Sequence, residues 1–582
     1  MKYKKTKITM KLKKISKFMK KHHKKEMEVK CKKRYYKCIM KLILRRRKSM
    51  KKRVGSLALT ASMIATLLAG CGNSAAEEEG VSTPKSDNET TGEVVSDGSE
   101  DTADEEEDLT DITVSFWSLA SVPEEVNLVE DAINEITESD IGVTVHLNIM
   151  DVGSYIPQGA MANGVANGED FDLVLSAAAL SGSYPVMKAN GMIMPIEDLL
   201  PEYAPELMET VPEEFLKGTT SDGHIYGVPS YCNKKNNMYW MCRTEVLEKA
   251  DIDIDSIKTI DDLEKALYKI KETCPDMIPI SGASFTLNMT YPGYAFATGK
   301  GQAWDALGEG TAVAAAVYYD DETLTAVSRY ETDDFKADIE RIAKWYKDGL
   351  VDKDVATDSA TANAMMEKPN VASQFDVAQF DNDAIRCNNT NAKSVKLADG
   401  RIGTGGLQQF VWFLPVSCDE PEASVKFMNL MYTDERIVNL LNYGIEGKHY
   451  EVKEDGTIGF PEGVTAENSG YYMGGLTALI GNGFLAKPWE GANPNTQELA
   501  KAEMNNAEYS PLMGFALDTA ALGDIYTALC PIANQEYGPA LFCGSAPDGY
   551  YDEFIQKMKD AGLDEYLDMV NEQIQAWAAE NK

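Results

Sequence analysis

Cys71 is the residue whose chemistry is most legible from its surroundings. It follows Leu68, Ala69 and Gly70, and an apolar run from Val54 to Leu68 precedes it. Small residues ahead of a thiol let a peptidase hold the chain extended in a narrow cleft, and the thiol itself can be acylated. The apolar run, with Lys51, Lys52 and Arg53 in front of it, has the layout of a secretory signal peptide. Elsewhere the reactive residue types are scattered. Three histidines follow Cys71 (His146, His224 and His449), far apart and without an HExxH pair, and no GxSxG elbow occurs. Gly293 to Lys300 has the wrong glycine spacing for a phosphate-binding loop, and Gly301 stands where Ser or Thr is needed. Asp251, Asp253 and Asp255 alternate like the start of a calcium loop, but its sixth position is Ser256 and its twelfth Asp262, which serves better as a helix cap. Carboxylate pairs of the kind that hydrolyse glycosides can be found at any spacing among 76 acids from Asp111 onward, so no pair stands out. No metal site, cofactor or catalytic centre is expected.

The order Leu-Ala-Gly-Cys resembles the lipobox of bacterial lipoproteins. That resemblance implies that Cys71 becomes the first residue of the mature chain and carries a lipid such as palmitate, its only membrane anchor. Residues 50–70 then form the signal peptide. Residues 1–49, with 22 Lys or Arg against Glu26 and Glu28, are too long and basic for a normal leader; they are expected to precede the true start at Met50. Residues 71–110 form a tether: from 73 to 110 there are 14 acids and one basic residue, Lys85, with almost nothing apolar to fold around. As a coil this segment reaches roughly 35 Å.

From residue 54 onward 32 basic residues face 90 acidic ones. A surface this acidic repels phosphate backbones and anionic headgroups, which excludes nucleic acid as a partner and favours neutral or cationic ligands, a local basic pocket aside. The seven cysteines after Cys71 show no CxxC spacing and read as small buried hydrophobes.

The elements that would position a site begin near Asp111. Ile112–Trp117 reads as a strand, 123–138 as an amphipathic helix, Val143–Met150 as a second strand and Phe171–Leu175 as a third. Residues 217–229 read as a hairpin turning at Asp222-Gly223, and 236–243 as another strand. A helix starts at Thr259 with Asp262 closing a capping box. Another runs from Asp333 to Asp348 with Trp345 inward and Gly349 ending it, and 550–578 is helical with a break near Gly562. Strands alternating with helices predict parallel α/β sheets. Trp240 and Trp577 are expected in the core, and Arg243 in an ion pair.

Several of these segments, in this order, resemble the extracellular solute-binding lipoproteins of bacterial ABC importers, in the carbohydrate-associated subgroup. The matching stretches are Ile112–Trp117, Gly168–Leu175, Ile225–Tyr231 with Met238–Arg243, Tyr432–Glu435, Leu441–Tyr450, and the ending from Pro511–Phe515 through Tyr537–Pro539 to Trp577. The resemblance implies two α/β lobes of the periplasmic-binding-protein type, joined by hinge crossings, with a ligand cleft between them. It places lobe one at 111–234 and 409–480 and lobe two at 235–408 and 481–582. It implies a monomer on the outer face of the cell membrane, with a carbohydrate as ligand and the importer's permease subunits as partners.

Sugars present apolar C–H faces to aromatic rings and hydroxyls to polar groups. Cleft candidates are therefore aromatic or small polar residues at strand ends and crossings: Trp117, Ser118, Tyr155, Ser176, Ala177, Tyr231, Trp304, Trp412 and Trp489. A surface enzyme acting on glycans, and a peptide-binding receptor of the same fold, stand as alternatives to a sugar receptor.

Overall fold

The structure, a computed structural model, describes residues 109–581 apart from 154, 156–159, 170, 177–182, 284–293, 308–314, 358–363, 380–386, 388 and 476–478. The basic leader, the signal segment with Cys71 and nearly all of the tether therefore lie outside the described residues, as does Ala177.

In chain order, the first region contains β1 (Thr110–Ser118), α1 (Val126–Ile141), β2 (Val143–Asp151), β3 (Leu173–Leu175) and β4 (Val228–Pro229). The chain then forms β5 (Asn237–Arg243), α2 (Ile260–Thr273), α3 (Asp333–Lys347), β6 (Ser373–Ala378) and β7 (Ala392–Ala398). It returns with β8 (Val411–Phe413), α4 (Pro421–Thr433), α5 (Glu435–Tyr443) and α6 (Thr496–Met504), and ends with α7 (Thr519–Pro531), α8 (Tyr550–Asp560) and α9 (Leu563–Asn581).

Two sheets divide this list. The first has the order β2-β1-β3-β8-β4. β2 alternates buried Val143, Val145, Leu147 and Ile149 with outward Thr144, His146 and Asn148, the pattern of an edge strand covered on one face. β1 is buried on both faces from Ser115 to Ser118, as a central strand must be. β1 pairs in parallel with both β2 and β3, while β8 runs antiparallel to β3 and β4. α1 supplies the crossover, lays Val129 and Ile133 on the sheet, and stops at Gly142, whose φ of 68° lies in the left-handed region that glycine reaches without strain. Parallel strands joined this way end at one common edge, where a ligand site can be assembled.

The second sheet, β6-β5-β7, is antiparallel on both sides of β5. The expectation of parallel sheets thus holds for β1–β3 and fails here. Its reason is connectivity: α2 does not bring the chain back beside β5, whose partners arrive more than a hundred residues later. Trp240 on β5 is buried, as expected. Arg243, however, donates to the carbonyls of Val371 (2.7 Å), Lys368 (3.1 Å) and Met365 rather than to a carboxylate.

Three apolar cores follow from this layout. One lies under the first sheet; one lies under β5, α2 and α3 and buries Trp345. The third packs α7–α9 against Tyr330 and Phe335, with Phe554 5.0 Å and Phe335 5.1 Å from the Tyr330 ring. Trp577 is half-buried against Phe515. Ile402, Leu407 and Met504 belong to the first core, and Phe484, Tyr509 and Met513 pack on it. Residues 404–408 and 481–504 therefore pack with the first lobe, where the family resemblance places them in the second. α5 causes this, since Val438 and Tyr443 pack with Ala486 and Trp489 and draw that segment along.

Candidate functional site

The shared edge at which β1, β2 and β3 end is floored by aromatic rings. Trp117 ends β1 and is 1% exposed. Its indole N–H points to the Ser176 carbonyl (3.4 Å), and its ring lies 6.3 Å from Tyr155 and 5.9 Å from Phe410. The buried Tyr155 hydroxyl donates to the Leu175 carbonyl at the end of β3; burial pushes its phenol well above the ordinary value. Ser176 is tied to β8 twice, its N–H donating to the Val411 carbonyl (2.8 Å) and its hydroxyl accepting from the Val411 N–H (2.9 Å). Ser118 accepts from the Ala120 N–H (3.1 Å) and shapes the loop after β1. That loop is held in turn by Leu119, whose N–H donates to the Met473 carbonyl (3.3 Å).

Of the nine residues named from sequence, Trp117, Tyr155 and Ser176 are brought together, with Ser118 adjoining them. Trp412 lies below them, fully buried, its indole bonded to the Leu479 carbonyl (2.9 Å) and its ring 5.9 Å from Phe116. Tyr231 stands at the first crossing, wedged between Phe215 (5.2 Å) and Phe484 (5.0 Å). Trp304 is in a different place, buried in the small sheet of Trp304–Asp305, Ala315–Tyr318 and Val327–Ser328. Trp489 belongs to a satellite cluster with Phe460 (4.9 Å) and Tyr443 (5.9 Å). Trp117, Tyr155, Trp304 and Trp412 are all at most 2% exposed in this conformation. Sequence reading missed Phe410, which completes the floor, because the residue reaches it through the pairing of β8 with β3.

Beside the floor, three chain segments cross between the lobes: residues 230–236, 399–403 and 505–512. They are tied by polar groups. Glu503 accepts from the side-chain amides of Asn237 (2.7 Å) and Asn233 (3.1 Å). Lys235 pairs with Asp399 (2.9 Å), which also receives Lys396 (2.8 Å). Burial disfavours the Asp399 carboxylate, but the Lys396 and Lys235 ammoniums outweigh it and hold its pKa below the usual range. The second and third crossings pair as a parallel bridge between Ile402 and Tyr509. Gly400 donates its N–H to the Asn237 side chain (3.0 Å) and lies so close to the first crossing that a Cβ would stand 1.9 Å from the Asn236 carbonyl oxygen. Asp305 reaches in from the second lobe and accepts from the Leu307 N–H (2.7 Å); full burial pushes its carboxyl above the ordinary range, with the Ser510 hydroxyl and that N–H opposing the shift. Two adjacent lysines, Lys234 and Lys235, occupy the first crossing of a strongly acidic chain, a run that sequence reading passed over.

Among the described residues no group of three or more His, Cys, Asp or Glu side chains is arranged to hold a metal, and no helix is long and apolar enough to cross a membrane.

Residues 127–436 match the family described as bacterial extracellular solute-binding protein, and residues 511–579 match a domain of unknown function, DUF3502. A carbohydrate ABC transporter substrate-binding protein of Streptococcus pneumoniae serotype 4 is 24% identical over 464 residues, which is 79% of this chain and 89% of that protein. Among solved structures, the N-glycan transport solute binding protein NgtS from Streptococcus pneumoniae aligns over 81% of this chain and 100% of its own, with 21% identity and a TM-score of 0.68. The same protein in complex with Man1GlcNAc aligns over 80% of this chain and 99% of its own, with 20% identity and a TM-score of 0.58. The likeness to these structures establishes the two-lobe α/β fold.

Proposed function

The chain belongs to the family of bacterial extracellular solute-binding proteins, and from that premise we propose that it is the receptor of an ABC importer, capturing an oligosaccharide between its lobes and delivering it to the permease. The observation that carries the reading is the likeness, over 79% of this chain, to a carbohydrate ABC transporter substrate-binding protein. The geometry supports it physically. An aromatic floor at the ends of β1–β3 gives one lobe a fixed face, and a polar, three-segment crossing allows the second lobe to swing over it. Ligand then adds contacts only the closed state offers, which is the differential affinity that closure needs.

The lipid anchor at Cys71 completes the proposal. A receptor held by acyl chains to the outer face of the membrane, on a tether of residues 71–110, stays within reach of its transporter. Trp117, Ser118, Tyr155, Ser176, Ala177, Tyr231, Trp304, Trp412 and Trp489 remain the proposed neighbourhood of the ligand, with the first four nearest to one another. The protein acts as a monomer that binds and releases its ligand without turnover.

A thermal-shift screen of oligosaccharides and peptides tests this. A true ligand at a hundredfold its dissociation constant adds about 2.7 kcal/mol of stability and raises the melting point. Glycans should shift it and be recovered intact. A shift with peptides alone, or release of cleaved sugar, defeats the reading. For the anchor, Cys71→Ser should free the protein into the medium.

A further inference from the structure

Lys234 is only 7% exposed, yet no carboxylate lies within 4.0 Å of its ammonium among the described residues; its neighbour there is the face of Phe410, 5.4 Å to the ring centroid. The contrast with the next residue is sharp. Lys235 is equally buried and is paired with Asp399. The carboxylates at the crossings already have partners: Glu503 with Asn233 and Asn237, Asp399 with Lys235 and Lys396, and Glu508 with Arg401. In a chain with nearly three acids for every base from residue 54 onward, one of the most buried cations thus has no counterion among the described residues. Taking an ammonium out of water is unfavourable unless something replaces its hydration, and a ring face replaces part of it.

The place matters as much as the charge. Phe410 precedes β8 and packs on Trp117, so it stands at the edge where β1 and β3 end. Lys234 is on the first crossing, its backbone N–H meeting the Met504 sulfur (3.1 Å). Its ammonium is therefore held over Phe410, at the edge of the aromatic floor and beside the first crossing.

We propose that Lys234 is a ligand-contacting residue whose ammonium pairs with a carboxylate of the bound glycan, so that the preferred ligand is an acidic oligosaccharide bearing a uronate or sialate. This rests on the glycan reading above. The negative charge of the whole surface does not exclude it: beyond about 8 Å the other acids are screened at physiological salt, whereas a contact pair in a partly desolvated pocket is not. A hydroxyl of a neutral sugar accepts a hydrogen bond from the ammonium but leaves its charge uncompensated; a carboxylate does both.

Calorimetric titration with matched glycan pairs tests the assignment: sialyllactose against lactose, a sialylated against a desialylated N-glycan, and trigalacturonate against its methyl ester. At least one acidic member should bind about tenfold or more tighter than its neutral twin, and its affinity should fall as salt rises. Lys234→Met should remove that preference by weakening the acidic member far more than its neutral twin, while Lys234→Arg retains it. Because no carboxylate among the described residues pairs with the lysine, Lys234→Met without ligand should melt no lower than the parent. Wild-type protein that binds neutral glycans as tightly as their acidic twins overturns the proposal and leaves the glycan reading standing. So does a Lys234→Met protein that melts lower and loses both classes together, which marks a structural lysine. Binding of no glycan in either class defeats the glycan reading with it.

Discussion

The floor and the crossing lie side by side and are built from opposite materials. On the floor, Trp117, Tyr155 and Trp412 are buried large rings, and each polar atom they carry is bonded to a backbone carbonyl of a neighbouring segment. Rings packed in this way have one good arrangement, and any displacement opens a cavity. In the crossing, Asn233, Lys235, Asn237, Asp399 and Glu503 hold three short segments by side-chain hydrogen bonds and ion pairs. Contacts of that kind can be exchanged for water as the segments rotate, at a small net change in free energy. A receptor that closes on its ligand needs both: a face that does not deform and a joint that does. The difference assigns stability to the first region and motion to the second.

Removing the ring that lies beneath the floor should have the largest effect. Trp412→Ala is expected to lower unfolding stability by about 3–5 kcal/mol in a urea titration, the range for deleting a fully buried aromatic. Ligand affinity measured on the fraction that remains folded should fall by much less than stability does, since the fully buried Trp412 supports the floor from beneath. A large affinity loss with little loss of stability would erase the distinction between the two regions.

Gly400→Ala probes the joint at its tightest point. The added methyl meets the Asn236 carbonyl oxygen, which is backbone and has no rotamer with which to retreat, so the first two crossings must part. The expected loss is about 2–3 kcal/mol. Gly406→Ala, where nothing lies within 4 Å of the new Cβ and φ is not positive, is the matched control and should be neutral or stabilising by up to about 1 kcal/mol. If the two alanines behave alike, close approach of the crossings is not what defines the joint.

Glu503→Gln tests the polar tie more gently. The carboxylate accepts two amides at once; an amide has one acceptor and turns its own NH2 toward Asn233 or Asn237. A loss of about 1–2 kcal/mol is expected, together with a changed ligand off-rate, because the tie lies on the moving segments. An unchanged off-rate would move the hinge elsewhere.

Much of the local structure was legible before the fold. The hairpin turns at Asp222-Gly223, with φ of 54° and 79°. Thr259 and Asp262 exchange both bonds of the capping box (3.2 Å each). Gly349 and Gly562, at φ of 69° and 101°, end helices where expected. These are decided by residues a few positions apart. The site was legible only in part, because the burial of a ring is decided by partners far along the chain. Trp117 and Trp412 both end or lie within strands and look alike in sequence; whether either faces ligand depends on β8 entering beside β3. Arg243 shows the same limit: its fork is filled by carbonyls from 365–371, which no spacing rule around Arg243 reveals.

The smallest effect is carried by pH, and it separates two acids within the joint. Asp399 is held below the ordinary carboxylate range, so its contribution is complete above that range and is lost as pH falls through the depressed value. Asp305 is pushed above the range, so its contribution has the opposite sign: complete below the ordinary value and lost as pH rises through the raised one. In urea titrations from about pH 3 to about pH 8, Asp399→Asn should flatten the acid side of the stability profile and Asp305→Asn the side above it. Floor variants such as Tyr155→Phe should lower the profile without changing its shape, since no carboxylate is bonded to that hydroxyl. A Tyr155→Phe profile that bends at either acid's window would mean that floor and joint titrate as one unit, and the separation between a fixed face and a polar joint would not hold.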